Sequence, residues 1–336
     1  MRCRLFLPSG RWPASMILAV VLHFDPANAL AVTVDWVTVG DPGNACEVQT
    51  QGCFGAVAQP YRISRTEVTV SQYTGYLNAV AQSDPNGLFY PAMANWITQS
   101  GGSGSYSYSY SSNPGEADRP IGFTTIYHGL RFANWLHNGQ PTGPQGNSTT
   151  EDGAYTITPA GIAANSIMRN AGATIFLTNE DEWYKAAYYD AMSASYFDYP
   201  AGTDTPTGCT APGPAPNTAN CGPALGESSY AGTYTGSASP YGTYDQGGNL
   251  WEWVETIGSG PNRVIRGGGF WDGMGDESLS SAVSWEVPGN GVPGTGETAD
   301  FIGFRVAGII PIPEPGTGLL LLGGLAGLAS RRRHRK

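Results

Sequence analysis

Charge is scarce in this chain of 336 residues, of which only 13% are Asp, Glu, Lys or Arg. Positive charge is scarcer still in its middle. Residues 1–29 and 313–336 hold 8 of the 17 basic and 2 of the 27 acidic residues, which leaves 9 against 25, or about −16. A body of that sign repels nucleic-acid phosphate and anionic lipid, and excludes nucleic acid as a partner. It suits a secreted, soluble body that can hold divalent cations. Cysteine is absent after Cys221, and between the ends there are only two histidines, His128 and His137. No CxxC and no Cys/His spacing points to zinc, and the two histidines alone fit no facial triad. No apolar run is long enough for a permanent bilayer span. No repeat of fixed period is present.

What is present begins with the two ends. Arg2, Arg4 and Arg11 precede an apolar stretch at 16–22 and a small-residue close, "PANALA" at 26–31. Basic, then apolar, then small is the order of a secretory signal peptide, here residues 1–29, with an uncleaved anchor as the alternative. At the other end Pro313, Glu314 and Pro315 precede an apolar stretch at 319–329 and the basic block "RRRHRK". Apolar-then-basic is a stop-transfer pattern. Tripeptide, short apolar segment and basic cluster together, over 311–336, resemble the PEP-CTERM sorting signal. The resemblance implies export in a Gram-negative bacterium, transient inner-membrane anchoring and an exosortase-type enzyme as partner. Export agrees with the cysteines. Cys46 and Cys53 bracket one short loop and Cys209 and Cys221 another, which suggests two local disulfides in an oxidising compartment, with four free thiols as the alternative.

Between the ends, 30–310 reads as one large or two small domains. Gly 47 and Pro 25 imply many turns, while Trp 9 and Tyr 18 supply a core and exclude disorder. "TVSQYTGYLNAVA" puts Tyr73, Leu77 and Val80 on one helical face, with Ser71 as candidate N-cap. "TTIYHGLRFANWLHNG" starts a helix near Thr125 and stops it at Asn138-Gly139. "TNEDEWYKAAYYDA" offers Asn179 and Glu182 as a capping box. Strand candidates are "VDWVTVG", "YRISRTEVTV", "RVIRGG" and "GFRVAG". "GGSGSYSYSYSSN", 101–113, reads as a mobile low-complexity loop, though its alternating tyrosines could stack on sugar. The class is therefore α+β with little regular structure and long loops.

The motifs acquire an order: "YRISRTEVTVSQYTGYLNAV", "RPIGFTTIYHGLRFANWL", "IFLTNEDEWYKAAYYD", "YGTYDQGGNLWEWVE", "RVIRGGGFWD" and "GFRVAG". In that order, from about Val34 to Gly308, they resemble the formylglycine-generating enzyme (sulfatase-modifying factor) family. The resemblance implies that family's variant of the C-type lectin fold. It implies a structural calcium at Asp245, Gly248, Leu250 and Glu252, and carboxylate plus carbonyl oxygens on a bent loop are what calcium takes. The alternative is a buried Glu252 paired with an arginine. Arg266 and Arg305 either clamp a carboxylate or pair with Glu252 or Asp245, and Trp251 and Trp253 belong to the core. A second calcium site of the family would begin near Asn220 and Cys221, but its aspartate is not evident.

The family's oxidase carries two cysteines after "RGG" that bind copper(I). The matching positions here are Asp272 and Glu277, hard carboxylates that cannot replace soft thiolates, so copper is not expected. Asp272, Asp276 and Glu277 read as a solvated acidic loop. The sequence thus points to an exported, non-catalytic binding or structural module at the cell surface or in extracellular matrix, with polysaccharide or peptide as its partner. The alternative is an oxidase that converts a protein cysteine to formylglycine.

Overall fold

The structure, a computed structural model, describes residues 31–272, 282, 284–286 and 302–311. Contacts divide the chain into residues 1–31 and 32–336, and the elements of the fold belong to the second unit. Two four-stranded sheets form its frame. The first runs in the order Trp36–Val39, Tyr61–Ser64, Val306–Ile309, Ile175–Leu177, all antiparallel. The second runs in the order Ser284–Glu286, Arg263–Arg266, Trp251–Ile257, Ile302–Phe304, with its last pair parallel. The expected single strand "GFRVAG" is therefore two short ones, Ile302–Phe304 and Val306–Ile309, in different sheets. Arg305 is the residue at which the chain crosses from one sheet to the other.

The helix Val70–Val80 is capped by Thr69, not by Ser71. The Thr69 hydroxyl accepts from the Gln72 N–H, and the Gln72 side chain accepts from the Thr69 N–H. That reciprocal box satisfies two end donors at once, which Ser71, already inside the first turn, cannot do. Tyr73, Leu77 and Val80 are buried as the periodicity requires. Glu180–Tyr188 is capped by Asn179 with Glu182 as its box partner, as read from the sequence. Ile126–His137 begins at Thr125 and is buried on nearly every side, as a helix through the middle of a core must be. Tyr73, Tyr76, Phe132, Trp135 and Phe304 pack there with ring centroids 5.2–6.5 Å apart.

The central helix carries an unusual cap. The Nδ1 atom of His128 accepts from the Thr125 N–H at 3.2 Å, a role that requires Nδ1 to carry no proton and so fits a neutral ring. Burial first, and Arg131 second, push the His128 pKa down to about 3 from 6.5. The folded state thus refuses a proton that the unfolded chain accepts. The contribution of His128 is complete above pH 6.5 and is lost as pH falls toward 3. Between pH 7 and pH 5 the loss is about 2 kcal/mol. His128→Gln, which keeps the box but cannot titrate, is expected to remove that share of the pH dependence of the urea midpoint.

Residues 101–113 are not a loose loop. Ile97–Ser100 and Ser107–Tyr110 form an antiparallel hairpin. Tyr108 is buried, donates its hydroxyl to the Ala81 carbonyl, and receives the Asn78 side chain on its backbone. The central tyrosine of the repeat is an anchor against the helix Val70–Val80, while Tyr110 stays exposed.

None of the nine cations among the described residues is fully exposed. Arg119, Arg131, Lys185, Arg263, Arg266 and Arg305 are buried, and Arg62, Arg65 and Arg169 are half-buried. Lys185 donates to the Asp41 carbonyl at 2.6 Å, and Arg131 pairs with Glu151 at 2.7 Å. Arg169 holds both Glu182 and Glu255 at 2.7 Å.

Candidate functional site

The loop 245–250 and the turn 266–272 meet beside the second sheet. The Gly248 N–H donates to the Gly267 carbonyl at 2.7 Å, and the Phe270 N–H to the Asn249 carbonyl at 2.9 Å. Two glycines make this approach possible. A side chain on Gly248, at φ +88°, would meet the Asn220 carbonyl at 2.5 Å. One on Gly267, at φ +102°, would meet Trp183 and the Gln246 carbonyl at 3.2 Å. Both positions demand glycine on conformation as well as space. Gly268 also has positive φ, at 73°.

Glu252 is the buried, arginine-paired acid. Arg305 donates to its two oxygens at 2.5 and 2.6 Å, and the Trp183 indole adds a third bond at 2.8 Å. Both side chains of the pair are 0% exposed. Arg305 also donates to the carbonyls of Ser64, Arg65 and Tyr244. All of its donor nitrogens are therefore engaged at the crossing point between the sheets. Arg266 does not meet Glu252 or Asp245. It pairs with Glu180 at 2.5 Å and lies over the rings of Phe54 and Tyr184 at 4.8 and 5.2 Å. Arg266 sits directly opposite Glu252 on the neighbouring strand, but Glu252 is already held by Arg305 and Trp183, and the Arg266 guanidinium goes to Glu180 in the acidic first turn of Glu180–Tyr188. Trp253 is fully buried, with its indole on the Thr124 carbonyl.

Around this pair lie three residues that the sequence left unremarked or only touched on. Glu67 is 1% exposed and accepts from the Asn249 side chain at 2.9 Å through Oε1, while its Oε2 has no partner. Asn220, also 1% exposed, donates to Asn249 and to the Glu227 carbonyl, and its Oδ1 has no partner. Asn249 itself is held at φ +64°. The half-buried Asp245 accepts from the Gly232 N–H at 2.6 Å and borders a small polar cleft with Thr207, Tyr234, Ser237 and Thr243. Burial pushes the Asp245 pKa up to about 6, and burial followed by the Asp245 and Glu252 charges pushes Glu67 well up. The sequence signal for Glu67 is an acid set among Val68, Val70 and Ile63, which cannot be told from a surface strand without the partner.

Asp272 is a structural clasp. Its Oδ2 accepts from the Trp251 indole at 2.5 Å and the Gly269 N–H at 2.6 Å, and its carbonyl accepts from Gly222 at 2.7 Å. That last bond brings Cys221, remote in sequence, one residue away from the clasp. Cys221 is bonded to Cys209, and Cys46 to Cys53, with Cα separations of 4.9 and 5.5 Å. Every cysteine among the described residues is thus a disulfide. His137 meets Thr174, far from this turn in sequence. Asp276, Glu277, Pro313, Glu314 and Pro315 lie outside the described residues.

Residues 51–310 match the profile of the sulfatase-modifying factor enzyme 1-like domain, and residues 311–333 that of the PEP-CTERM protein-sorting motif. Among solved structures, CarF is similar, with a TM-score of 0.51 and 19% identity over 84% of this chain and 100% of that one. Variable protein 1 of Treponema denticola scores 0.46 at 18% identity, covering 82% and 95%. PvdO from Pseudomonas aeruginosa scores 0.45 at 16% identity, covering 83% and 93%. No curated protein matches significantly. The architecture is the formylglycine-generating-enzyme variant of the C-type lectin fold, as the motif order led us to expect.

Proposed function

Since the chain belongs to the sulfatase-modifying factor enzyme 1-like domain family, we propose that it is a non-catalytic binding or structural module of an exported protein. The sorting motif implies export, membrane-anchored sorting in a Gram-negative bacterium, and recognition by an exosortase-type enzyme. The observation that carries the non-catalytic reading is the Asp272 clasp. A hard carboxylate with two hydrogen bonds on one oxygen stands where a soft thiolate would be needed for copper(I). The residues present do not fit that metal, and no described cysteine is free to supply a second ligand.

The exterior supports a partner in extracellular matrix reached without protein cations. All nine cations among the described residues are buried or half-buried, so a peptide or polysaccharide on that surface would be bound through hydroxyls, amides and aromatic faces, or through a bridging divalent ion. Copper(I) titration of the purified exported chain is expected to show no tight stoichiometric site. Incubation with a sulfatase-type cysteine peptide is expected to leave its mass unchanged. Tight copper binding with loss of peptide thiol would restore the oxidase reading.

Calcium is the second part of this proposal. Among the described residues no three His, Cys, Asp or Glu side chains converge as a metal cluster. A calcium loop here would therefore rest on carbonyl and amide oxygens as well, which calcium accepts. Arg305 pairs with Glu252 and also feels the charges of Glu67 and Asp245, and two acceptor oxygens, on Glu67 and Asn220, are buried without a donor. Such a surplus of acceptors fits a cation. Asp245 and the carbonyls of Gly248 and Leu250 would hold it, and it would fix the 245–252 loop.

A further inference from the structure

We propose, on the basis of the binding-module reading, that Arg62 recognises the carboxylate of a uronic acid carried by an otherwise neutral polysaccharide. Arg62 is the exception to the inward use of cations. The other eight described cations donate to acid, amide or carbonyl oxygens. Arg62 has no such acceptor among the described residues. Its guanidinium lies over the Trp36 ring, 4.3 Å from the centroid. Its Nε is buried without a partner, whereas its two terminal nitrogens remain open to solvent. Burial lowers the Arg62 pKa, and no neighbouring carboxylate raises it. A buried charged donor without an acceptor works against the fold, and a guanidinium with two open nitrogens is placed for an acceptor from outside.

The first sheet decides what that acceptor is attached to. Thr38, Arg62, Gly308 and Ile175 form one row across it and share a face. Thr38 is exposed, and Ile175 is half-buried. Gly308 leaves room for the arginine, since a Cβ there would stand 3.3 Å from Nε. Trp36 holds the guanidinium by a cation–π contact, and the open end of the fork presents two N–H groups to the two oxygens of a carboxylate. The strand Tyr61–Ser64 lies between two others, so its main chain is already paired. A peptide, which is read through main-chain pairing at an open edge, gains little there. A sugar acid needs only the guanidinium, the Thr38 hydroxyl and the rim of the Trp36 ring. The acidic body repels densely charged polymers, which restricts the ligand to isolated uronates among neutral sugars.

A glucuronate-bearing xylo-oligosaccharide serves as the probe, titrated calorimetrically into the full exported chain. Its carboxyl-reduced, neutral counterpart and a peptide carrying a single glutamate serve as comparisons. The acidic oligosaccharide is expected to bind at one site, and the other two more weakly by roughly tenfold or more. Arg62→Met keeps an apolar stem over Trp36 and is expected to weaken acidic binding by roughly tenfold or more. Its melting temperature is expected to be unchanged or raised, because no hydrogen bond leaves with the guanidinium. Arg62→Lys keeps the charge without the fork and is expected to weaken binding by about threefold or more. Binding that survives Arg62→Met, absence of binding by the acidic oligosaccharide, or a peptide bound as tightly as the sugar overturns the proposal. A clear fall in the melting temperature of Arg62→Met overturns it too, since the arginine would then serve the fold. Failure of the non-catalytic reading is distinct, because it shows as tight copper(I) binding and loss of peptide thiol whatever the oligosaccharide does.

Discussion

Arg305→Leu is expected to destabilise the fold by about 3–5 kcal/mol, the range for removing one partner of a buried ion pair. The effect belongs at the upper end here. Glu252 would remain buried with only the Trp183 indole, and the carbonyls of Ser64, Arg65 and Tyr244 would lose a donor. The damage would fall where Phe304 ends one sheet and Val306 begins the other. At about 2–4 °C per kcal/mol for a domain of somewhat smaller size, the melting temperature should fall by roughly 10 °C. The double variant Glu252→Leu/Arg305→Leu should recover part of this loss, because the stranded charge is gone. A double variant no better than the sum of its singles would show that Glu252 and Arg305 are not coupled.

Reduction is the second large perturbation. Cys46–Cys53 and Cys209–Cys221 close loops separated by 7 and 12 positions. Loop-closure entropy assigns about 2.5 and 3 kcal/mol to bridges of these lengths. Together they amount to about half of the 5–15 kcal/mol margin of an ordinary domain. Each bridge has a local role. The first staples Glu47–Gln49 to Gly52–Phe54, the hairpin whose Phe54 lies over Arg266. The second closes the loop that reaches Asp272 through Gly222. Denaturation in phosphine reductant is expected to shift the urea midpoint sharply downward, and a Cys209→Ser/Cys221→Ser variant by about half as much. Equal midpoints with and without reductant would show that the bridges add nothing.

The elements that sequence reasoning reached are those whose signal is local. Thr125, Asn138-Gly139 and the Asn179–Glu182 box announce helix ends within four residues, and the structure keeps them. Ser71 failed because Thr69 and Gln72 form a better cap two residues earlier, and both cap types read alike from one letter. The tyrosine repeat at 106–110 failed because its low complexity hides a contact with Asn78 and Ala81, about thirty residues away. At the site, motif order reached Asp245, Glu252, Asp272 and the two arginines. It could not say that Arg266 turns to Glu180 while Arg305 takes Glu252, since acids and arginines remote in sequence compete for one another there. Glu67, 182 positions from its partner Asn249, carries no mark in its own neighbourhood.

The inward placement of every described cation has a consequence for an exported protein. Lys185 is the sole lysine between the two ends, and its amine is covered. Proteases that cut after basic residues need that side chain and several flanking residues in extended, accessible form. In the folded body six of nine such bonds follow a buried residue, and the rest follow one held by an acid or a ring. Trypsin-like enzymes should therefore cut only molecules that have opened, which makes limited proteolysis a direct gauge of unfolding. Amine-directed cross-linkers and dyes should likewise leave the side chains of the native body untouched.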